Sequence, residues 1–208
     1  MADDGFFVVA YDNRDAGLST KFEDWGSADI KTAFKQARAK EKVDAPYTLE
    51  DMADDTAAML DHLGIERANI VGNSNGGAIA QTFAVWHPEK VLALISMMAT
   101  SGRRGLPRPC AATEWLGRPR NPSGTREGAV ENAIGTSHII GSPGYERSEA
   151  AIREKAGRPY DRAFYPAGNS RHFLASIASG DRRVARLGQI KAPILVTHGH
   201  EDPLVPLG

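Results

Sequence analysis

Five consecutive residues, Gly72-Asn73-Ser74-Asn75-Gly76, set a serine at the centre of a G-x-S-x-G pattern directly after the apolar run Ala68–Val71. That spacing suits a nucleophile: a serine held on a sharp strand-to-helix turn with its hydroxyl facing a cleft, the nucleophile elbow. On such a turn the serine is forced to positive φ, a strained state for any residue with a Cβ. The tight crossing of strand and helix then calls for small residues two before and two after it. Taken alone, the five residues also fit a glycine-rich turn carrying a solvated serine.

The surrounding elements favour the elbow. Ala68–Val71 is a short β-prone run, and Ile79, Phe83 and Trp86 recur at helical spacing after the serine, with Ala78 and Ala80 as strong helix formers. His87-Pro88 ends that helix, because proline biases its predecessor away from helical dihedrals. The spacing therefore predicts a strand near 68–73 and a helix near 75–86, with Ser74 between them at positive φ. Upstream, Phe6–Tyr11 reads as a strand buried on both faces, Asp12–Gly17 as a polar turn and 27–45 as a solvated helix. Thr48-Leu49-Glu50-Asp51 opens a further helix with a capping-box signal, its acids favourable at the positive end of the dipole, and Gly64 closes it. Val91–Met98 is another buried strand. The β-α-β-α-β succession over short connections implies an α/β fold with a mostly parallel sheet flanked by helices.

Residues 100–168 interrupt this pattern and read as a helical cap insertion, with helical stretches near 126–135 and 148–156. Between Ser101 and Arg171 stand eleven Arg and one Lys against seven acids, an excess read as solvating the surface in preference to binding an anion. The sheet pattern returns with helices near 171–179 and 182–187 and the strand Ile194–Thr197. The expected division is a core of 1–99 and 170–208, incomplete, and a cap of 100–169.

Composition bounds the function. The 208 residues are 41% hydrophobic with a net charge of −1, as for one globular domain, with no global sign of nucleic-acid or anionic-membrane binding. No apolar run approaches a membrane span. Cys110 is the single cysteine, so neither a disulfide framework nor a cysteine metal site is expected. No metal and no cofactor are implied. The acidic start Met1-Ala2-Asp3-Asp4-Gly5 lacks the marks of a signal peptide, which makes the cytoplasm the default.

Further stretches carry a resemblance: Tyr11-Asp12-Asn13-Arg14-Asp15-Ala16-Gly17-Leu18-Ser19, Ala45–Ala53, Gly72–Gly77, and Pro193–Gly199 with Asp202-Pro203-Leu204-Val205-Pro206. In this order they resemble the α/β-hydrolase superfamily, and within it the esterases that include aclacinomycin methylesterase. The resemblance implies Ser74 as nucleophile, Asp202 as the acid of a catalytic triad, and the backbone N–H of Asn75 as one oxyanion donor. A serine hydroxyl is a poor nucleophile until an imidazole takes its proton, and a buried carboxylate orients that imidazole. The implied partner is a small-molecule ester; oligomeric state stays open. Asp202 has a second reading as a turn residue before proline. It is expected at the carboxyl end of strand 194–197, on the same sheet edge as Ser74, about one imidazole's width from it. Asp12 and Arg14 receive no catalytic role.

Relatives differ in three respects. They often carry His or Ala before the serine and Met after it, where Asn73 and Asn75 stand here. Their catalytic histidine follows a further strand and helix beyond the acid, and their second oxyanion donor comes from a His-Gly loop ahead of the segment matching Phe6. His198 and His200 lie too close to Asp202 along the chain to replace that base, and His62, His87, His138 and His172 read as surface or packed residues. The expectation is a fragment of a longer protein whose missing strand leaves a slot between 6–11 and 68–72. A cofactor-free perhydrolase or lyase, or a non-catalytic binding protein on the same fold, are the alternatives.

Overall fold

The computed structural model describes residues 1–103, 105–106, 124–142, 144–146 and 148–207. Cys110 and the early part of the expected cap lie outside them.

Helix α1 (Ile30–Ala39) begins at Asp29, whose carboxylate accepts from the Thr32 N–H at 3.1 Å. Helix α2 (Leu49–His62) carries the expected capping box: Thr48 N–H donates to Asp51 Oδ2 at 2.7 Å while the Asp51 N–H returns to the Thr48 hydroxyl. Strand β1 (Ala68–Asn73), helix α3 (Asn75–Trp86) and strand β2 (Val91–Met97) follow. Helices α4 (Arg126–Ile140), α5 (Glu149–Ala163) and α6 (Pro166–Ser179) lead to strand β3 (Ile194–Thr197), by way of a 3-10 turn at Val184–Gln189 where a helix near 182–187 was expected. The spans read from periodicity agree to within a residue or two for β1, α3, β2 and β3. Helices α4 to α6 are longer than expected.

The sheet is parallel in the order β1-β2-β3. Its register puts Asn73 beside Met97 and Met97 beside Thr197, so the three strands end in one row. Helix α3 is buried from Gly77 to Ala84. It packs Ala80, Phe83 and Ala84 against Ala53, Ala57 and Leu60 of α2 and against Val91 and Leu94 of β2. A second cluster joins Tyr47, Leu49 and Met52 to Ala78, Ile79 and to Ala175 of α6. Burying these side chains, each worth about 1.5–3 kcal/mol for a large aliphatic or aromatic group, makes α3 the centre of the core.

Phe6–Tyr11 departs from expectation. The segment joins no ladder, and Phe7 is 82% exposed. The β1–β2 ladder uses one edge of β1, and no described strand occupies the other. A β-prone run without a neighbour to take its N–H and C=O groups cannot become a buried strand. The same reason leaves β3 open: among the described residues it pairs only with β2, and Val196 is 64% exposed.

Helices α4 and α5 pack on each other. Arg126 pairs with Asp161 at 2.7 Å, and Arg153 bonds Glu127, Glu131 and Glu149. Arg162 meets Asp12 at 2.6 Å. The arginines of α4 and α5 thus face carboxylates at the surface, whereas Arg171, counted in the same excess, departs from the solvating role expected of it and is buried at 1% exposure. No described helix is long and apolar enough to cross a membrane.

Candidate active site

Ser74 sits between β1 and α3 with φ 54° and ψ −120°, the strained turn that its spacing requires. Its N–H donates to the Met97 carbonyl at 2.9 Å, and its own carbonyl accepts from Gly77 and Ala78. The backbone is therefore fixed while the residue itself stays exposed. Sterics single out two glycines. A Cβ at Gly72 would lie 2.2 Å from the Gly76 carbonyl oxygen, and one at Gly77 would lie 2.5 Å from the Ala99 methyl. A Cβ at Gly76 would meet nothing within 4 Å. The residue two after the serine thus has no steric need to be small, contrary to expectation, because Gly76 presses on Gly72 with its carbonyl and points its own Cβ direction into open space. Gly72→Ala is expected to cost about 1–3 kcal/mol or more, as overpacking against backbone does, while Gly76→Ala leaves the thermal midpoint within a degree or two or raises it. Thermal unfolding of the two variants checks this; equal losses would contradict it.

Asp202 follows β3 by five residues on the same edge of the sheet as Ser74, since β1 and β3 run parallel and end in one row. Its Oδ1 accepts from the N–H groups of Leu204 and Val205, each at 2.8 Å. The loop thereby closes on the carboxylate, which is only slightly exposed. His198 Nε2 donates to the Val205 carbonyl at 2.6 Å and stands 3.4 Å from Asp202 Oδ2. The imidazole beside the acid is thus that of its own loop. Spacing along the chain argued against His198 as a base; that it instead braces the acid loop became visible only with the loop's closure. No hydrogen bond joins Ser74 to Asp202 or to any imidazole among the described residues.

Asn75 opens α3, so its N–H lies in the first turn, where no intrahelical acceptor exists and the helix dipole is positive. Its side chain is tied down: Oδ1 accepts from the Ser176 hydroxyl at 2.6 Å. Helix α6, which carries Ser176, is anchored in turn by a buried ion pair. Arg171 meets Asp15 through Nε at 2.7 Å and Nη2 at 2.8 Å, with the two residues 1% and 0% exposed. The Tyr47 hydroxyl and the Phe22 N–H also donate to Asp15, at 2.7 and 2.8 Å. Burial pushes the Asp15 carboxyl up, but Arg171, Phe22 and Tyr47 outweigh it and hold its pKa at about 2. Asp15 takes φ 66° to reach them.

Asp12 and Arg14 do not pair with each other. Asp12 faces Arg162, and Arg14 is bidentate on Asp55 at 2.6 and 2.7 Å. His172 donates from Nε2 to the Arg14 carbonyl at 2.5 Å, and His87 contacts Asp54 at 2.7 Å. A groove of about 530 Å³ between the 11–22 loop and α2 is lined by Tyr11, Arg14 and Asp55 among others, and contains neither Ser74 nor Asp202. No group of His, Cys, Asp and Glu among the described residues could hold a metal ion.

The family model described as alpha/beta hydrolase fold matches residues 1–208. A 2-hydroxymuconate semialdehyde hydrolase from Pseudomonas sp. (strain CF600) is 32% identical over 168 residues, 79% of this chain and 56% of that protein. A rhodomycin D methylesterase from Streptomyces sp. (strain C5) is 25% identical over 230 residues, covering 99% of this chain and 69% of that protein. Among solved structures, a thermophilic esterase from Thermogutta terrifontis superposes with a TM-score of 0.54 at 25% identity, over 76% of this chain and 56% of that one. The chain spans about half the length of the first curated hydrolases it matches, 51% and 56%.

Proposed function

The chain belongs to the α/β-hydrolase fold family, and from that membership we propose that it acts as a serine hydrolase on a small carboxylic ester. Ser74 is the nucleophile, Asp202 the triad acid and the Asn75 N–H one oxyanion donor. In the first step Ser74 Oγ attacks the ester carbonyl carbon while its proton passes to an imidazole. The tetrahedral oxyanion then collapses, the imidazole protonates the leaving alcohol, and an acyl-serine remains. Water repeats the sequence to free the acid. The imidazole comes from a histidine outside residues 1–208, seated between Ser74 and Asp202.

One observation carries this reading: the strained Ser74 turn and the Asp202 loop leave the same row of strand ends, two strand spacings or about 10 Å apart. That interval leaves room for an imidazole to bond the acid with one nitrogen and the serine with the other. The ester as substrate rests on the methylesterase, whose match extends over nearly the whole chain, and on the esterase structure. A non-catalytic binding protein is the second reading, favoured by the absence of any described imidazole bonded to Ser74.

A p-nitrophenyl butyrate burst assay separates the two, run on a polypeptide carrying these residues within their flanking sequence. Serine acylation releases one equivalent of p-nitrophenolate per Ser74 ahead of steady turnover, and Ser74→Ala removes both phases. In the same protein Asp202→Asn is expected to lower kcat by about 10³–10⁴, since the imidazole loses its orienting carboxylate. Absence of any Ser74-dependent release of p-nitrophenolate, in burst or in steady state, decides for the binding protein.

A further inference from the structure

Arg183 takes no part in the chemistry above, yet it is 4% exposed. Its Nε donates to Gln81 Oε1 at 3.2 Å and its Nη2 to the Thr100 carbonyl at 3.0 Å. Neither acceptor is charged. Burial pushes the guanidinium below its ordinary pKa, with the Glu50 carboxylate pulling the other way. Glu50 itself is taken by Ser179 and Arg182, each at 3.0 Å. Arg171, also buried, meets a carboxylate squarely; Arg183 does not. Desolvating a charge against neutral acceptors is costly, and what the residue provides in return is geometric.

Three segments converge on it. Gln81 lies on α3, two turns beyond Ser74, and its Nε2 donates to Ser96 Oγ of β2 at 3.0 Å. Thr100 lies where the chain leaves β2, and Gly102 just beyond has φ 84°, its missing Cβ position 3.0 Å from Arg183 Nη2. Arg183 itself lies in the turn between α6 and the Val184–Gln189 helix.

The exit of β2 is the middle of the candidate site. The Met97 carbonyl accepts the Ser74 N–H at 2.9 Å, and the Met98 N–H donates to the Thr197 carbonyl at 2.9 Å. Both bonds are made by the single peptide unit that joins Met97 to Met98, and Met98, which turns the chain out of it, has φ 39°, a left-handed value that costs about 1–3 kcal/mol in a residue with a Cβ and persists only when neighbours enforce it. Ala99 closes the exit against Gly77. At the next residue, Arg183 holds Thr100.

We propose that Arg183 is a positioning residue for Ser74 and Asp202: by fixing Thr100 against α3 it holds the strained Met98 crossing, and with it the two backbone bonds that set the serine turn and the acid strand in register. The functional half of this proposal rests on the hydrolase reading; the structural half does not. Amide hydrogen exchange, followed by NMR on the 208-residue chain, tests it with Arg183→Met and Arg183→Lys. Arg183→Met is expected to speed exchange at Ser74 and Met98 by about tenfold or more, leaving the amides of α2 at their original rates. Arg183→Lys, which keeps a donor for Thr100, restores part of the protection. Should the methionine variant not fold, the lysine variant is read by the same local criterion. Unchanged exchange at Ser74 and Met98 overturns the proposal, and so does uniform acceleration across all amides, which marks a general stability role. In the catalytically competent protein the expected signature is a fall in kcat of about tenfold or more with KM nearly unchanged. Exchange needs no turnover, so its failure removes the positioning role alone, whereas absence of Ser74-dependent turnover removes the hydrolase reading and leaves the structural half of the proposal standing.

Discussion

The 208-residue chain is expected to turn over p-nitrophenyl butyrate no faster than its Ser74→Ala variant, while a polypeptide that adds a flanking histidine-bearing segment gains at least about 10⁴-fold through Ser74. The reason lies in which groups surround the hydroxyl. The strained turn presents it, and the Asn75 N–H at the start of α3 offers one oxyanion bond, typically worth about 3 kcal/mol at the transition state. Neither removes the proton. Three of the six imidazoles are otherwise engaged, His198 with Val205 and Asp202, His172 with the Arg14 carbonyl and His87 with Asp54, and none of the six is hydrogen-bonded to Ser74 among the described residues. Members of a triad act as a unit, so lack of the base costs nearly as much as lack of the serine. Steady-state release of p-nitrophenolate by the chain, its Ser74→Ala variant and the extended polypeptide measures this. Robust Ser74-dependent turnover by the 208 residues themselves would show that one of their own histidines is the base, and substitution of His200, then of the helical-insertion histidine His138, would identify it.

Arg171→Met is expected to lower stability by about 3–5 kcal/mol at neutral pH, the usual cost of leaving one member of a buried ion pair alone. Asp15 would keep the Tyr47 and Phe22 donors but lose its counter-charge in a site with 0% exposure. For a chain of this size such a loss lowers the thermal midpoint by about 10 °C. The pH dependence has a definite sign. The folded-state pKa of Asp15, about 2, lies below the ordinary 3.8, so its contribution is fully present above pH 4 and fades as the pH falls toward 2. The shift corresponds to about 2 kcal/mol. In the variant burial is no longer outweighed by the arginine, its carboxyl titrates higher, and folding loses less on acidification. The gap between parent and variant therefore narrows by about 1 kcal/mol between pH 6 and pH 3. Urea unfolding at the two pH values checks both parts. A loss below 1 kcal/mol at pH 6, or a gap that widens in acid, contradicts the account. Helix α6 carries both Arg171 and Ser176, so the same variant should also loosen the Ser176 bond to Asn75.

How much of this was legible beforehand depends on the range of the interactions involved. The Thr48–Asp51 capping box, the Ser74 turn and the spans of β1, α3, β2 and β3 announce themselves in contacts and propensities within a few residues, although the Met97 carbonyl and the ladders complete the turn and the strands. Periodicity and glycine spacing record such contacts directly. The parallel sheet followed too, because short β-α-β connections leave few alternatives, and it carried Asp202 to the edge where Ser74 stands. Other features hung on partners that local pattern cannot name. Phe6–Tyr11 has the composition of a buried strand, but ladder pairing belongs to two segments, and without a neighbour its apolar side chains stay exposed. Asp15 read as a turn residue, since the arginine that buries it lies 156 positions away. Arg183 passed unremarked for the same reason, its acceptors sitting on α3 and beyond β2. Even inside the motif, crowding selected Gly77 and spared Gly76, because the methyl that decides it belongs to Ala99 on another strand's exit. Local chemistry was written in the order of residues; which charges are buried, which edges are paired and what holds the serine against the acid were decided by segments that meet only when the chain is folded.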